Sequence, residues 1–211
     1  MIRKQRIGFG SFGNRELSFL EGTIISAFFP EAGKMTLKEL KERVGYSYER
    51  VNSALKSLKE KKIVKEEKIG KTLVYSLNLD DLYSEIGFDH YLLERELDFI
   101  KKYPIQYKAI KEIVENQSIL MVLLFGSYSK GTENKQSDID LLCLPVGNNK
   151  KETESFIFSL KHRYNFKISP VVVLYSEFPK IKKDNPELWD DIKQFGIIFK
   201  GEDLFYSWMY K

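Results

Sequence analysis

The sequence predicts an α+β protein of two domains, and three observations support this prediction. Residues 16–79 contain three helical patterns followed by two β-rich runs around a glycine. Residues 104–211 alternate apolar runs of strand length with amphipathic segments. The length of 211 residues is sufficient for two domains. The remaining segments are interpreted as an N-terminal arm over residues 1–15 and a connecting helix over residues 80–103.

The composition excludes several classes of protein. Hydrophobic residues make up 43% of the chain and charged residues 30%, which is ordinary for a soluble globular protein. No run of 18 apolar residues is present, so no membrane span is expected, and the basic N-terminus lacks the apolar segment of a secretory signal. Cys143 is the only cysteine, which excludes a disulfide or a metal–thiolate cluster and indicates a small core residue. We therefore expect a cytoplasmic location.

The first two helices are defined by apolar spacing and by end signals. Residues 16–29 have one apolar face and are followed by Pro30. A capping box of Thr36 and Glu39 opens the second helix, and Gly45 ends it.

A third helix and a hairpin complete the N-terminal domain. Ser47 is expected to cap a helix that runs to Lys61, and two β-rich runs around Gly70 predict the hairpin. Three helices followed by a hairpin are typical of a winged helix-turn-helix domain. In that fold the third helix enters the major groove of DNA and the hairpin tip contacts the backbone.

The N-terminal part of the chain is also its basic part. Residues 1–80 contain 16 Lys and Arg against 10 Asp and Glu, a net charge of +6, whereas residues 81–211 contain 18 against 20, a net charge of −2. We therefore predict DNA as a partner. The predicted DNA-contacting residues have polar or basic side chains on the third helix or the hairpin: Arg50, Asn52, Ser53, Lys56, Lys68 and Lys71.

Two alternatives to DNA binding stay open. The lysines can form an ordinary solvated surface, and winged helices also serve as protein-docking modules. Glu49 and Glu60 on the third helix would face phosphate unfavourably.

The central stretch of the chain carries the features of a catalytic or binding site. Residues 119–125 form an apolar run that predicts a buried strand, and Gly126-Ser127 follows it. A polar loop then leads to a second strand that begins with Asp138 and includes Asp140. Side chains two residues apart in a strand lie on the same face, so the two carboxylates project side by side. They repel each other unless a cation lies between them, and oxygen ligands favour Mg²⁺ or Mn²⁺.

The glycine–serine pair suits the phosphates of a nucleotide. Gly126 permits close approach of the backbone, and a helical turn after Ser127 would direct its N–H groups toward a phosphate. Together with the two carboxylates, this arrangement predicts a site that holds a nucleoside triphosphate with Mg²⁺.

The C-terminal half supplies the rest of the predicted sheet. A helix over 151–163 is expected to bury one apolar side, a third strand is expected over 167–175, and a short strand over 197–199. Phe156, Phe158 and Leu160 are placed on or near the buried side of that helix.

These residues resemble a known motif in which a Gly-Ser pair is followed, after about ten residues, by Asp-x-Asp. It is the motif of the DNA polymerase β-like nucleotidyltransferases, and the resemblance is closest to their minimal nucleotidyltransferase branch. The residues that match the motif or stand at a related position are Gly126, Ser127, Lys130, Gly131, Ser137, Asp138 and Asp140, with Lys130 where many members have Arg. The resemblance implies a mixed sheet with helices. It also implies that Asp138 and Asp140 bind metal and act in catalysis, while Gly126, Ser127, Lys130 and Ser137 bind nucleotide.

The sequence departs from that family at one position. Active members usually carry a third carboxylate on the strand that here spans 167–175. Ser169 or Val171 occupies that position, and neither can bind metal as a carboxylate or accept a proton at neutral pH. Glu177, just past the strand, is the remaining candidate.

Two functions of different classes follow. The first is an enzyme that transfers a nucleoside monophosphate from an NTP, with ATP as the candidate, to an unknown hydroxyl in a Mg²⁺-dependent reaction. The second is a DNA-binding transcriptional regulator whose nucleotidyltransferase domain is degenerate or senses nucleotide. The resemblance also implies an antitoxin-like variant paired with a HEPN-type protein. A homodimer is a further expectation, because long connecting helices are common places for dimer contact.

Overall fold

The computed structural model describes residues 16–160 and 163–211. The chain divides into two compact units, one comprising Met1–Tyr91 with Tyr210–Lys211 and the other Leu92–Met209. The predicted arm over residues 1–15 lies outside the described residues. Among the helices described, none is both long and apolar enough to cross a membrane.

The first unit combines helices with a small antiparallel sheet. Its elements are α1 (Phe19–Ser26), β1 (Met35–Thr36), α2 (Leu37–Val44), α3 (Tyr48–Glu60), β2 (Val64–Ile69) and β3 (Thr72–Leu77). The strand order is β1-β3-β2, with both pairings antiparallel. The predicted helices and hairpin are therefore confirmed, whereas the two-residue strand β1 was not expected from the sequence.

Capping explains where α2 begins and ends, but not where α3 begins. Thr36 and Glu39 form both bonds of the predicted capping box, and Gly45 ends α2 in the left-handed conformation with φ of 71°. The expectation for Ser47 was wrong in part. Ser47 stands at the N-cap of α3, but within the described chain its side chain makes no capping hydrogen bond. The packing of buried Val51 and Leu55 therefore contributes more to holding α3 than its cap does.

The second unit holds the larger sheet. The elements from the inter-unit division onward are α4 (Leu82–Lys102, which begins in the first unit), α5 (Pro104–Val114), β4 (Ile119–Phe125), α6 (Gly126–Lys130), β5 (Ile139–Pro145), α7 (Lys150–Leu160), β6 (Ile168–Val172), a 3-10 helix (Phe178–Lys180), α8 (Ile181–Asp184), α9 (Pro186–Phe195), β7 (Ile197–Lys200) and α10 (Glu202–Tyr210).

This sheet is mixed, as the resemblance implies. Its order is β6-β5-β4-β7, with β4 antiparallel to both β5 and β7 and with β5 parallel to β6. The two central strands, β4 and β5, are almost fully buried. Cys143 lies in β5 with no exposed surface, and burial raises the pKa of its thiol to about 12. The polar groups at the ends of these strands are therefore attached to the buried core of the sheet.

One residue that was predicted to lie on or near the buried face of α7 is exposed. Phe158 is 53% exposed, whereas Thr153, Ile157 and Leu160 form the buried stripe. These three residues follow the i, i+4, i+7 spacing of a helix face, and Phe158 lies one position beyond that face.

Candidate nucleotide site

The turn between β4 and α6 is the first component of the site. Gly126 has φ of 74°, a conformation that favours glycine. A Cβ atom at this position would overlap Oδ2 of Asp140 and would lie 3.2 Å from its Cγ. Helix α6 begins at Gly126 itself, slightly earlier than predicted. The glycine therefore allows the turn to approach the carboxylate of the neighbouring strand.

The two predicted carboxylates come together at one end of β5. Asp140 pairs with Phe125 on one side and with Ser169 on the other, and Asp138 immediately precedes the strand. Burial raises the pKa of Asp140, and the negative charge of Asp138 adds to that effect. Two mutually repelling carboxylates favour a cation at this end of the sheet.

Asp138 already has two donors on one oxygen atom. Its Oδ2 forms an ion pair with the ammonium of Lys167 and accepts a hydrogen bond from Ser169 Oγ at 3.0 Å. Lys167 also opposes the raised pKa of Asp140. Ser169 stands where an active nucleotidyltransferase would be expected to carry a third carboxylate. Its hydroxyl instead donates a hydrogen bond to Asp138.

Asp191 of α9 is a component that sequence reasoning missed. It accepts a hydrogen bond from the Gly126 N–H at 3.3 Å, and its Oδ1 lies 2.5 Å from Nζ of Lys130. Its charge also contributes to raising the pKa of Asp140. Asp191 follows Asp190 in an amphipathic helix, a pattern that by itself indicates only a solvated helix face. The contact with Gly126 spans 65 residues and depends on how α9 packs in the folded unit.

The loop after α6 is held by its own hydrogen bonds. Gly131 ends α6 with φ of 72°, and the Thr132 N–H donates to the Ser127 carbonyl at 3.0 Å. Ser137 Oγ accepts from the Asn134 N–H at 2.9 Å, which closes a turn just before Asp138. In this structure the Ser137 hydroxyl therefore shapes the loop that delivers Asp138 to the site.

Glu177 does not join the two carboxylates. Lys150 lies 2.6 Å from it, and the Leu174 N–H donates to it at 2.8 Å. The backbone bond from Leu174 and the Lys150 ammonium lower the pKa of Glu177. Val171 lies farther along β6, opposite Leu142.

The donor set fits a metal ion that arrives with phosphates. Across residues 16–160 and 163–211, no three His, Cys, Asp or Glu side chains converge as a metal-binding group. Mg²⁺ commonly binds through one or two carboxylates together with substrate phosphates and waters. Asp138 and Asp140 are consistent with that mode and not with a metal held by protein ligands alone.

The predicted DNA-contacting residues lie in the first unit. Four are on α3 and two are on the hairpin; Arg50, Ser53, Lys56, Lys68 and Lys71 are exposed and Asn52 is half-buried. Arg50 stacks on the Tyr46 ring at 4.6 Å. The hairpin also carries carboxylates, since Glu66 lies 2.8 Å from Lys59 and Glu67 pairs with Lys34. Basic and acidic side chains are therefore both present on α3 and the hairpin.

Replacing Asp191 with asparagine should strengthen nucleotide binding about threefold to tenfold, because the Asp191 carboxylate neutralises Lys130 and its negative charge opposes the phosphates. Asparagine keeps an acceptor for Gly126 but removes the competing charge. Calorimetric titration of an ATP analogue with Mn²⁺ measures the change. Asp190→Asn, an exposed neighbour on α9, is the control and should have no effect. Weaker binding of Asp191→Asn would instead assign Asp191 to holding the turn in place.

Part of the chain is similar to known proteins. Residues 108–194 match the family model described as polymerase beta, nucleotidyltransferase. The chain is 25% identical over 97 residues to a protein of Methanocaldococcus jannaschii that is named as a candidate protein adenylyltransferase. This match covers 43% of the chain and 65% of that relative's length.

A solved structure was also matched. It is that of TrmBL2, an archaeal chromatin protein whose structure is described as showing a novel mode of DNA binding. The sequence identity is 19% and the TM-score 0.28, with coverage of 84% of this chain and 72% of the other. At that score the match carries no weight for fold or function.

Proposed function

We propose that the second unit, whose residues 108–194 match the polymerase beta nucleotidyltransferase family model, binds an NTP with Mg²⁺ and transfers its nucleoside monophosphate to a hydroxyl group. The observation that supports this most is the approach of the Gly126 turn to Asp140, beside Asp138. The proposed phosphate-binding groups and the two carboxylates proposed to bind metal therefore lie at one end of the sheet, which supports nucleotidyl transfer.

The proposed residues divide into a metal-binding pair and a phosphate-binding group. Asp138 and Asp140 hold the metal and act in catalysis, while Gly126, Ser127 and Lys130 receive the phosphates. Ser137 contributes through the loop that it closes. Mg²⁺ would orient the α-phosphate and neutralise the charge of the departing pyrophosphate.

The transfer step balances without a redox partner. The acceptor oxygen forms a bond to the α-phosphorus, the bond between the α-phosphorus and the bridging oxygen breaks, and pyrophosphate leaves. The acceptor's proton goes to water, because the described part of β6 offers Ser169 and no carboxylate. We therefore propose slow turnover relative to a site with a general base, whose contribution is about 10²–10⁴-fold in rate.

A labelling experiment tests the activity. The full chain is incubated with ATP labelled at the α-phosphate, Mg²⁺ and candidate acceptors of three classes: protein, nucleic-acid ends and small hydroxyl compounds. Label should move to one acceptor class, and ATP labelled at the γ-phosphate should transfer none. Transfer that survives Asp138→Ala combined with Asp140→Ala would contradict the assignment.

A second function, DNA binding through the first unit, is favoured by one observation. The helices and the three-stranded sheet occur in the order of a winged helix, with exposed basic residues on α3 and on the hairpin. In this alternative the protein is a transcriptional regulator whose nucleotidyltransferase domain senses nucleotide or is degenerate. Dimerisation and antitoxin-like pairing with a HEPN-type protein are further proposals that rest on the resemblance alone.

Binding of duplex DNA should weaken steeply with salt if this second function is correct. Replacing Lys56, Lys68 and Lys71 together by glutamine should reduce the affinity for DNA. It should also make the slope of log affinity against log salt concentration shallower, by the equivalent of up to about three ionic contacts. Fluorescence anisotropy at several salt concentrations measures both quantities. Replacing exposed Lys151, Lys182 and Lys183 in the second unit is the matched control. Equal loss in both triple variants would indicate a non-specific charge effect.

A further inference from the structure

The ion pair at Asp138 differs from the other contacts of the candidate site in its exposure. Lys167 has 59% of its side chain exposed, whereas Asp138 has 27%. The Lys167 backbone is fixed, because its carbonyl accepts from the Ile139 N–H at 2.9 Å. The long side chain therefore projects from an anchored position into solvent at the rim of the site, where its ammonium can reorient.

The second donor on the same oxygen lacks that freedom. Ser169 lies within β6, in register with Asp140, and its short side chain reaches Asp138 Oδ2 at 3.0 Å. When a cation approaches Asp138, the hydroxyl can stay in place. The ammonium cannot, because two cations at one carboxylate oxygen repel each other.

We propose that Lys167 is an exchangeable cation of the nucleotide site. It neutralises Asp138 while the site is empty, and it moves to the phosphates when a divalent metal ion enters together with a nucleotide. This inference rests on the proposed function and adds a regulatory property to it: the protein binds a free divalent ion weakly, and binds metal and nucleotide cooperatively. By linkage, each ligand then raises the affinity for the other by the same factor.

The substitution Lys167→Met tests this property with binding measurements alone. Methionine keeps an unbranched side chain of similar length and removes the charge. Free Mn²⁺, followed by electron paramagnetic resonance, should bind about threefold to tenfold more tightly, because the competing cation is gone. The α,β-methylene analogue of ATP, titrated calorimetrically at saturating Mn²⁺, should bind more weakly by about the same factor, because a phosphate partner is gone. The opposite directions of the two changes distinguish exchange from a general electrostatic effect.

Two further variants complete the experiment. Lys183→Met removes an exposed lysine of α8 and should change neither affinity. Ser169→Ala removes the other donor and should leave the cooperativity between the ligands intact. The inference is overturned if Lys167→Met leaves both affinities unchanged or shifts both in the same direction. A wild-type protein that binds neither ligand overturns the proposed function and the inference with it, whereas wild-type binding that Lys167→Met does not alter overturns the inference alone.

Discussion

Asp140→Asn is expected to reduce Mg²⁺-dependent nucleotide binding at least about 100-fold, because changes to groups that merely orient a metal ligand already cost about 10–100-fold. The folded protein should tolerate the change. Burial and the charge of Asp138 raise the pKa of Asp140, which means that its ionised form is unfavourable in the folded state.

A stability measurement would separate this effect from unfolding. A raised pKa in the folded state gives stability that is present at acidic pH and is lost as pH rises through that pKa. At neutral pH, Asp140→Asn should therefore unfold at the same temperature as the wild type or higher, measured by circular dichroism. Asp184→Asn, an exposed carboxylate on α8, should preserve nucleotide binding. Retained binding by Asp140→Asn would remove Asp140 from the metal site.

Gly126→Ala should both destabilise the second unit and abolish nucleotide binding. The positive φ alone costs about 1–2 kcal/mol for a residue with a Cβ. The added atom would also overlap Oδ2 of Asp140, so either the turn or the carboxylate must move. Thermal unfolding and calorimetric titration with an ATP analogue and Mn²⁺ measure the two effects.

Gly147→Ala supplies the matched control in the same unit. Gly147 has φ of 64°, similar to Gly126, but no described atom lies within 4 Å of a Cβ placed there. Its replacement should cost the same backbone strain and leave binding intact. If the two variants lose equal stability and both bind nucleotide, the close approach of Gly126 to Asp140 is not required.

Local patterns predicted the parts of the site that adjoin each other in sequence. The apolar run of β4, the glycine at its end and the alternation of Asp138 with Asp140 are properties of neighbouring residues, and the structure has them together. The same reasoning predicted a close approach of the backbone at Gly126, but the positive φ and the nearness of Asp140 are seen only in the structure.

The contacts that neutralise the site could not be predicted in this way. Lys167 reaches Asp138 across 29 residues because β6 lies parallel to β5, and Asp191 reaches Gly126 across 65 residues because α9 packs against the end of β4. A lysine before a strand and a carboxylate on an amphipathic helix are ordinary surface patterns, so the sequence offers no signal that distinguishes these two. Phe158 is a different case, because the local i, i+4, i+7 spacing of Thr153, Ile157 and Leu160 already places it outside the buried face of α7.

A crystal structure of the protein with Mn²⁺ and the α,β-methylene analogue of ATP is the most direct measurement of the central claim. The account predicts an anomalous scattering peak within coordination distance of Asp138 and Asp140, with the phosphates against Gly126 and Ser127. A well-ordered analogue bound elsewhere, or Mn²⁺ absent from the two carboxylates at saturating concentrations of both ligands, would contradict it.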